Sequence, residues 1–162
     1  MGYKQELDAL GRWVYQTAGL TSYRLDSSPP QLARPVILWE SPNSVKGQNL
    51  GNYAYLKRRS QFGKLYVNSV DQLAEIMDKL EQRLADLHDY LIVYESDQAD
   101  ALPIGRMIRV QFEVGTSTTL DIPITVRYDV IQDRARPIEP PPATTVTTAS
   151  EYGGGTTDDN SI

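Results

Sequence analysis

The sequence contains no cysteine and only one histidine among its 162 residues. Without cysteine there is neither a disulfide nor a thiolate metal site, which excludes a small secreted fold stapled by disulfides. No apolar run approaches the roughly 20 residues that a membrane-spanning helix needs, and the first residues lack the apolar centre of a signal peptide. We therefore expect a soluble protein that does not contact a membrane.

An excess of positive charge is also absent, since 21 acidic and 16 basic residues give a formal net charge of −5. General attraction to nucleic acid or to anionic lipid requires the opposite sign. The hydrophobic fraction of 40% is ordinary for a globular chain, and the length suits a single domain. We divide the chain into a domain over residues 1–133 and a C-terminal arm, residues 134–162.

Few residues suggest catalysis or ligand binding. His88 is followed by Asp89, but no nucleophile accompanies the pair, and a histidine at a helix end more often complements the helix dipole. The acidic residues of "ESDQAD" lack the spacing and the glycine of a calcium loop. The glycines at 153–155 are not followed by the lysine of a phosphate-binding loop. We expect no enzymatic activity, no cofactor and no metal site.

Two amphipathic helices are predicted. The first covers residues 3–18, where apolar residues recur at helical spacing and Gly19 follows as a C-cap. The second opens at Ser69, which with Gln72 matches the capping-box pattern. One apolar stripe should make this second helix the main packing element, and it consists of Val70, Leu73, Ile76, Met77, Leu80, Leu84 and Leu87.

Short strands and a hairpin are predicted between the helices. The strands cover 20–25 and 36–40. A Pro-, Gly- and Asn-rich loop over 41–52 follows, and long loops inside compact domains are often functional. The next segment, 53–67, is predicted to form a hairpin that reverses near Ser60–Gly63.

Three more strands follow the second helix. The strand at 90–95 is expected to be covered on both faces. In the strand "RMIRVQFEV" Arg109 is expected to point outward, and the residues expected to point inward are Ile108, Val110, Phe112 and Val114. In the strand "LDIPITVRYDV" Arg127 is expected to point outward, and the residues expected to point inward are Leu120, Ile122, Ile124, Val126, Tyr128 and Val130. A short loop between these two strands favours antiparallel pairing. Pro123 cannot donate a ladder hydrogen bond, which predicts a sheet edge or a bulge there.

Together these elements predict an α+β fold. A mainly antiparallel sheet is packed by two helices in the order α-β-β-β-β-α-β-β-β, with an extended C-terminal arm. The Pro123-bearing edge of the sheet should remain open, which is an aggregation hazard unless a partner covers it.

A basic, tyrosine-containing segment, "GNYAYLKRRSQFGK", is a candidate contact site. It contains Tyr53, Tyr55, Lys57, Arg58, Arg59 and Lys64. Three interpretations stay open: a solvated hairpin tip, a salt-bridging contact with an acidic neighbour, and nucleic-acid binding through base stacking and phosphate contacts. Adjacent Arg58 and Arg59 should point to opposite faces of a strand.

The order, size and texture of the elements, including "LDIPITVRYDV" near the end, resemble the tail terminator family of long-tailed bacteriophages, also called tail completion or tail-to-head joining proteins. The matching parts are residues 3–18, 36–67, 69–88 and 90–131. The family has no catalytic or ligand motif to compare, and the C-terminal arm is a departure from a minimal terminator.

This resemblance implies a structural virion protein. Identical copies would form a hexameric ring that caps the tail tube, stops its growth and meets a head-side connector or stopper protein. The protein would be located in the tail or neck of the virion, after assembly in the host cytoplasm, and would meet DNA only as it passes through the ring. The alternatives are another neck protein, such as a stopper or head-completion protein, and a nucleic-acid-binding regulator that uses Arg58 and Arg59.

The C-terminal arm suggests a further contact. "RARPIEPPP" favours stiff, extended polyproline II, and "ATTVTTA" is rich in β-branched residues that could add a strand to a neighbour's sheet. A disordered tail is the alternative. The predicted interface residues are Asn49, Tyr53, Tyr55, Lys57, Arg58, Arg59, Lys64, Arg109, Arg127, Pro140, Thr145, Val146 and Thr147.

Overall fold

A computed structural model describes residues 1–134. Its elements in chain order are α1 (Tyr3–Ala18), β1 (Thr21–Arg24), a 3-10 turn (Leu25–Ser27), β2 (Val36–Trp39), β3 (Asn43–Asn49), β4 (Ala54–Tyr66), α2 (Val70–Asp86), β5 (Leu91–Tyr94), β6 (Pro103–Val114) and β7 (Asp121–Asp133). This order and the mainly antiparallel sheet confirm the predicted α+β class.

Helix α1 begins and ends at local signals. The Gly2 N–H donates to the Gln5 side-chain oxygen at 2.8 Å. At the other end Gly19 takes a φ of 66°, a left-handed conformation that glycine adopts without steric cost. Leu10 and Val14 are fully buried. The prediction of a helix over 3–18 is confirmed.

Helix α2 starts at the predicted cap, but with a shifted partner. The Ser69 hydroxyl accepts the Gln72 N–H at 3.1 Å, while the Gln72 side chain accepts the N–H of Asn68, one residue before the position that the capping box predicts. The stripe is buried at Ile76, Leu80 and Leu84. Val70 is 70% exposed, so its predicted burial is wrong, because no described residue covers the first turn of α2.

The sheet runs in the order β1-β2-β4-β7-β6-β5, and β3 pairs with β4 beside β2. Strands β4 and β7 form its centre and pair along their full length, from Ala54 opposite Asp133 to Tyr66 opposite Asp121. Among the strands of residues 1–134, the pair of β1 and β2 is parallel and the other pairs are antiparallel. We call the face that packs on α1 and α2 the helix-side face and the opposite one the outer face.

The hairpin predicted over 53–67 is wrong. Residues 54–66 form one uninterrupted strand, and its hairpin partner is β3, within the segment predicted to be a loop. The chain reverses before β4, where the Leu50 N–H donates to the Ala54 carbonyl at 2.8 Å and Gly51 has a φ of 100°. The chain therefore turns over 50–53, at the end of the segment predicted to be a loop, and not at the predicted 60–63.

Gly63 serves packing rather than a turn. It lies opposite Trp39 of β2, and a Cβ at this position would lie 2.9 Å from the Leu38 carbonyl oxygen and 3.0 Å from the Trp39 ring. Only glycine permits this close approach of β2 to β4.

Strands β5 and β6 depart from the predicted burial. Ile92 is 53% exposed, so β5 is covered on one face and not on both. In β6 the fully buried residue is Met107 rather than Ile108. The register with β7 shifts between Ile108 and Gln111, and Arg109 has a φ of 53°. This bulge restores the predicted alternation from Val110 onward, where Val110 is buried.

Strand β7 follows the predicted alternation, because its even-numbered positions from Ile122 to Val130 are buried. Leu120 precedes the strand and is 38% exposed, so its predicted inward position is wrong. The edge predicted from Pro123 is also wrong, since β7 is central and its pairing with β4 is continuous. Pro123 is tolerated at the end of β6, where the strand pairing stops at Val114 opposite Ile124. Beyond it the Gly115 N–H donates to the Pro123 carbonyl at 2.8 Å, a hydrogen bond that needs no N–H on Pro123.

Candidate protein interface

A buried ion pair joins α1 to the centre of the sheet. Glu6 is fully buried, and its Oε2 lies 2.5 Å from Nε of Arg59. The Arg59 side chain is 10% exposed. The Arg59 Nε–H makes no hydrogen bond within residues 1–134, so its contact with Glu6 is an ion pair that lacks hydrogen-bond geometry. Arg59 was predicted at an interface; its side chain pairs with Glu6 inside the subunit, so little of it is exposed to a partner.

Tyr128 completes this buried centre. Its hydroxyl donates to Glu6 Oε2 at 2.9 Å. Burial, reinforced by the Glu6 carboxylate, raises the pKa of Tyr128, so the phenol stays protonated and remains a donor. Glu6 Oε1 has no hydrogen-bond partner among the described residues. The centre therefore fixes the position of α1 on β4 and β7.

A second buried polar residue, Gln61, lies next to this centre on β4. Its side-chain amide donates to the Glu40 carbonyl at 2.6 Å and to the Phe62 carbonyl at 2.8 Å, and it accepts the Tyr3 hydroxyl at 2.6 Å. Sequence reasoning missed Gln61 and Glu6. The available signal was a carboxylate at position 6, among the apolar residues that α1 turns toward the sheet.

The outer face carries three of the predicted interface arginines. Asp129 lies between two of them, with Arg109 Nη2 at 2.8 Å and Arg58 Nε at 3.6 Å. Arg127 contacts Glu113 at 2.7 Å. The Asp129 side chain is only 10% exposed, whereas those of the arginines are 55–65% exposed. The outer face thus presents guanidinium groups that are held in place by acidic residues below them.

The remaining basic residues of β4 do not join a single cluster. Lys64 lies on the outer face, 3.9 Å from the Glu40 carboxylate and half exposed. Lys57 lies on the helix-side face, opposite Lys46 of β3. Because Arg58 and Arg59 also point to opposite faces, as predicted, the cations are divided between two surfaces. Within residues 1–134 these cations therefore do not form the single cluster beside Tyr53 and Tyr55 from which the nucleic-acid interpretation was drawn.

Three other predicted residues come together where β3, β4 and β7 meet. The Arg134 guanidinium donates to the Asn49 side chain at 2.6 Å. It also lies over the Tyr55 ring, 5.7 Å from its centroid, and Lys46 lies at the same distance from that ring. The Arg134 N–H donates to the carbonyl of Tyr53 at 2.7 Å. The start of the C-terminal arm is thus attached to the end of the β3–β4 hairpin.

Strand β3 forms an edge of the sheet. Over the part of the chain that the structure describes, it pairs only with β4. Six of its seven residues are exposed, and Val45 is 58% exposed on the outer face, opposite Arg58. Its outward N–H and C=O groups are therefore available to another strand. Pro140, Thr145, Val146 and Thr147 lie outside the described residues.

The helix side carries a cleft of about 560 Å³ between α1, the end of α2 and β5. Arg12 borders it, lying 4.4 Å from the centroid of the Tyr94 ring and donating to the Ser96 carbonyl at 3.1 Å. Within residues 1–134 no group of His, Asp and Glu is arranged to hold a metal ion. No helix in this range is long and apolar enough to cross a membrane.

Comparison with known proteins finds no match to a family model and no significant similarity to a curated protein.

Proposed function

We propose that this chain is a structural virion protein of the tail–neck junction of a long-tailed bacteriophage. In this proposal identical copies form a hexameric ring that caps the tail tube, ends its growth and contacts the head-side connector or stopper protein. The proposal is supported by the element order α-β-β-β-β-α-β-β-β, which agrees with the layout on which the resemblance to tail terminators is based.

The observation that carries the proposal is the open edge of β3. A seven-residue edge strand without proline exposes backbone groups along its outer side. Monomeric proteins usually shorten or cover such edges, because an uncovered edge promotes uncontrolled pairing. In an assembly the same edge supplies directional hydrogen bonds with little demand on sequence.

The outer face supports the proposal with a second feature. Its exposed guanidinium groups are fixed by neighbouring carboxylates, as in Arg127 with Glu113 and Arg109 with Asp129. Arginine held in a defined orientation is well suited to contact carboxylates across a protein interface. The partners would be flanking copies within the ring, with the tail tube protein and the connector at its two ends.

Electron microscopy of the full chain with purified tail tubes tests this proposal. Ring-shaped particles with sixfold symmetry and tubes closed at one end are expected, together with an end to tube growth when the protein is added. A protein that stays monomeric and leaves tube elongation unchanged would refute it.

A charge-reversal variant tests which face takes part. Arg127→Glu places like charge beside Glu113 and is expected to lower the fraction of assembled rings. The matched control is Lys79→Glu, an exposed cation of α2, which should leave assembly unchanged. Urea unfolding of both variants verifies that the subunit itself is intact.

A further inference from the structure

We propose that residues 143–149 of one copy bind as an additional β-strand along the open edge of β3 in a neighbouring copy. This inference rests on the proposed function, because it assigns the ring contact to a particular pair of segments. It names both the docking surface, Asn43–Asn49, and its occupant.

The edge itself is suited to a strand. The other outermost strands, β1 and β5, have four residues each, whereas β3 has seven. Lysine on an edge strand commonly blocks pairing, but the Lys46 ammonium lies over the Tyr55 ring. A register shift between Lys46 and Asn49 leaves Asn43–Lys46 as the regular part of the edge. This part is polar except for Val45.

The occupant is identified by its side-chain order. Residues 143–149 read Ala-Thr-Thr-Val-Thr-Thr-Ala, which is the same in both directions. In an extended strand Thr144, Val146 and Thr148 share one face. Parallel or antiparallel addition can therefore place Val146 beside Val45, the exposed apolar residue of the edge. Thr side chains then lie beside the polar residues of β3, a favourable cross-strand combination.

The starting point of the arm favours a neighbouring copy over the same subunit. Arg134 is attached to Asn49, about 14 Å from Val45 at the usual rise of a strand. The spacer over 135–142 contains four prolines among its eight residues. At polyproline II rise it would extend about 25 Å, and consecutive prolines oppose the reversal needed to return along β3. The arm of one copy would thus reach the edge of the next.

Single-cysteine chains test this directly, because the natural sequence contains no cysteine. Val45→Cys and Val146→Cys proteins are mixed, assembled on tail tubes and treated with a short bifunctional reagent that joins two thiols. Such a reagent spans the thiol separation of both parallel and antiparallel strand pairs. The mixture is expected to give cross-linked dimers. The matched control pairs Val146→Cys with Ile92→Cys on β5, which is 53% exposed, close to the 58% of Val45; it should give only a trace.

Three results would overturn the inference. The first is cross-linking no greater than in the Ile92→Cys control. The second is a cross-link only within single chains of the Val45→Cys/Val146→Cys double variant, which would mean that the arm returns to its own subunit. The third is efficient dimerisation of Val45→Cys alone, which would mean that two β3 edges pair with each other.

The same experiment separates this inference from the proposed function. Rings that form normally without the Val45–Val146 cross-link would overturn the inference and leave the ring proposal standing. Cross-linked open chains without closed rings would support the strand exchange and refute the ring.

Discussion

Replacing Glu6 by glutamine is expected to lower the free energy of unfolding by about 3–5 kcal/mol. Glu6 is fully buried, and its carboxylate lies 2.5 Å from Arg59 Nε. Glutamine preserves the size of the side chain and an oxygen that can accept the Tyr128 hydroxyl. It removes the negative charge, so the nearly buried guanidinium of Arg59 loses its counterion. The expected cost is therefore that of an uncompensated buried charge.

A double variant tests this physical reason. Glu6→Leu combined with Arg59→Met removes both charges and replaces them with apolar side chains of similar volume. Because no charge is left unpaired, the loss should be much smaller than the sum of the two single losses. The Tyr128 hydroxyl would then lack its acceptor, at a cost of about 1–3 kcal/mol, which Tyr128→Phe in the same background should recover.

Urea unfolding monitored by tryptophan fluorescence measures these differences, since Trp13 and Trp39 are both buried. The matched control is Glu113→Gln, which removes the partner of Arg127 at a similar distance but with both side chains about half exposed. Its expected cost is less than about 1 kcal/mol. If Glu6→Gln costs no more than Glu113→Gln, or if the double variant loses the full sum, the reasoning is refuted.

Two further predictions concern β7 and β4. Burial and the Glu6 carboxylate raise the pKa of Tyr128 above its ordinary value of about 10, so the stability that the protonated Tyr128 side chain contributes is complete below about pH 10 and is lost as the pH rises further. Tyr128→Phe should therefore show a smaller decline in Tm up to about pH 11 than the unsubstituted protein. Equal declines in the two proteins would contradict this. Gly63→Ala brings a Cβ to 2.9 Å from the Leu38 carbonyl oxygen and should lower the free energy of unfolding in urea by about 1–3 kcal/mol. The control Lys64→Ala, in the same strand, should change it by less than about 0.5 kcal/mol. Equal effects of the two substitutions would argue against close packing at Gly63.

The elements that sequence reasoning located correctly are those with local signals. The apolar spacing of α1 and its terminal Gly19 lie within one segment, as do the Ser69 cap of α2 and the alternation of β7. The wrong predictions concern segments whose structure depends on pairing with a strand that is distant in the sequence. Residues 41–52 look like a loop by composition, yet they contain β3, because pairing with β4 outweighs the weak strand propensity of Asn, Gly and Lys.

The candidate site was predicted less well than the fold. Alternation along a strand was enough to separate Arg58 from Arg59, but not to show which of them is buried. Arg109 was correctly expected on the outer face, while the bulge that places it there and buries Met107 leaves no clear pattern in the sequence. The interface roles of Arg58, Arg109 and Arg127 stay predictions that the assembly experiments address.

The sequence by itself determined the α+β class, the two helices and the inward face of β7, since periodicity and capping depend on neighbours along the chain. Only the tertiary structure decided that Glu6 meets Arg59 and Tyr128, that β3 forms an open edge, and that Arg134 attaches the start of the arm to Asn49. Glu6 and Tyr128 are 122 positions apart. Contacts of this range depend on how the strands are ordered in the sheet, and that order is a property of the whole packed domain.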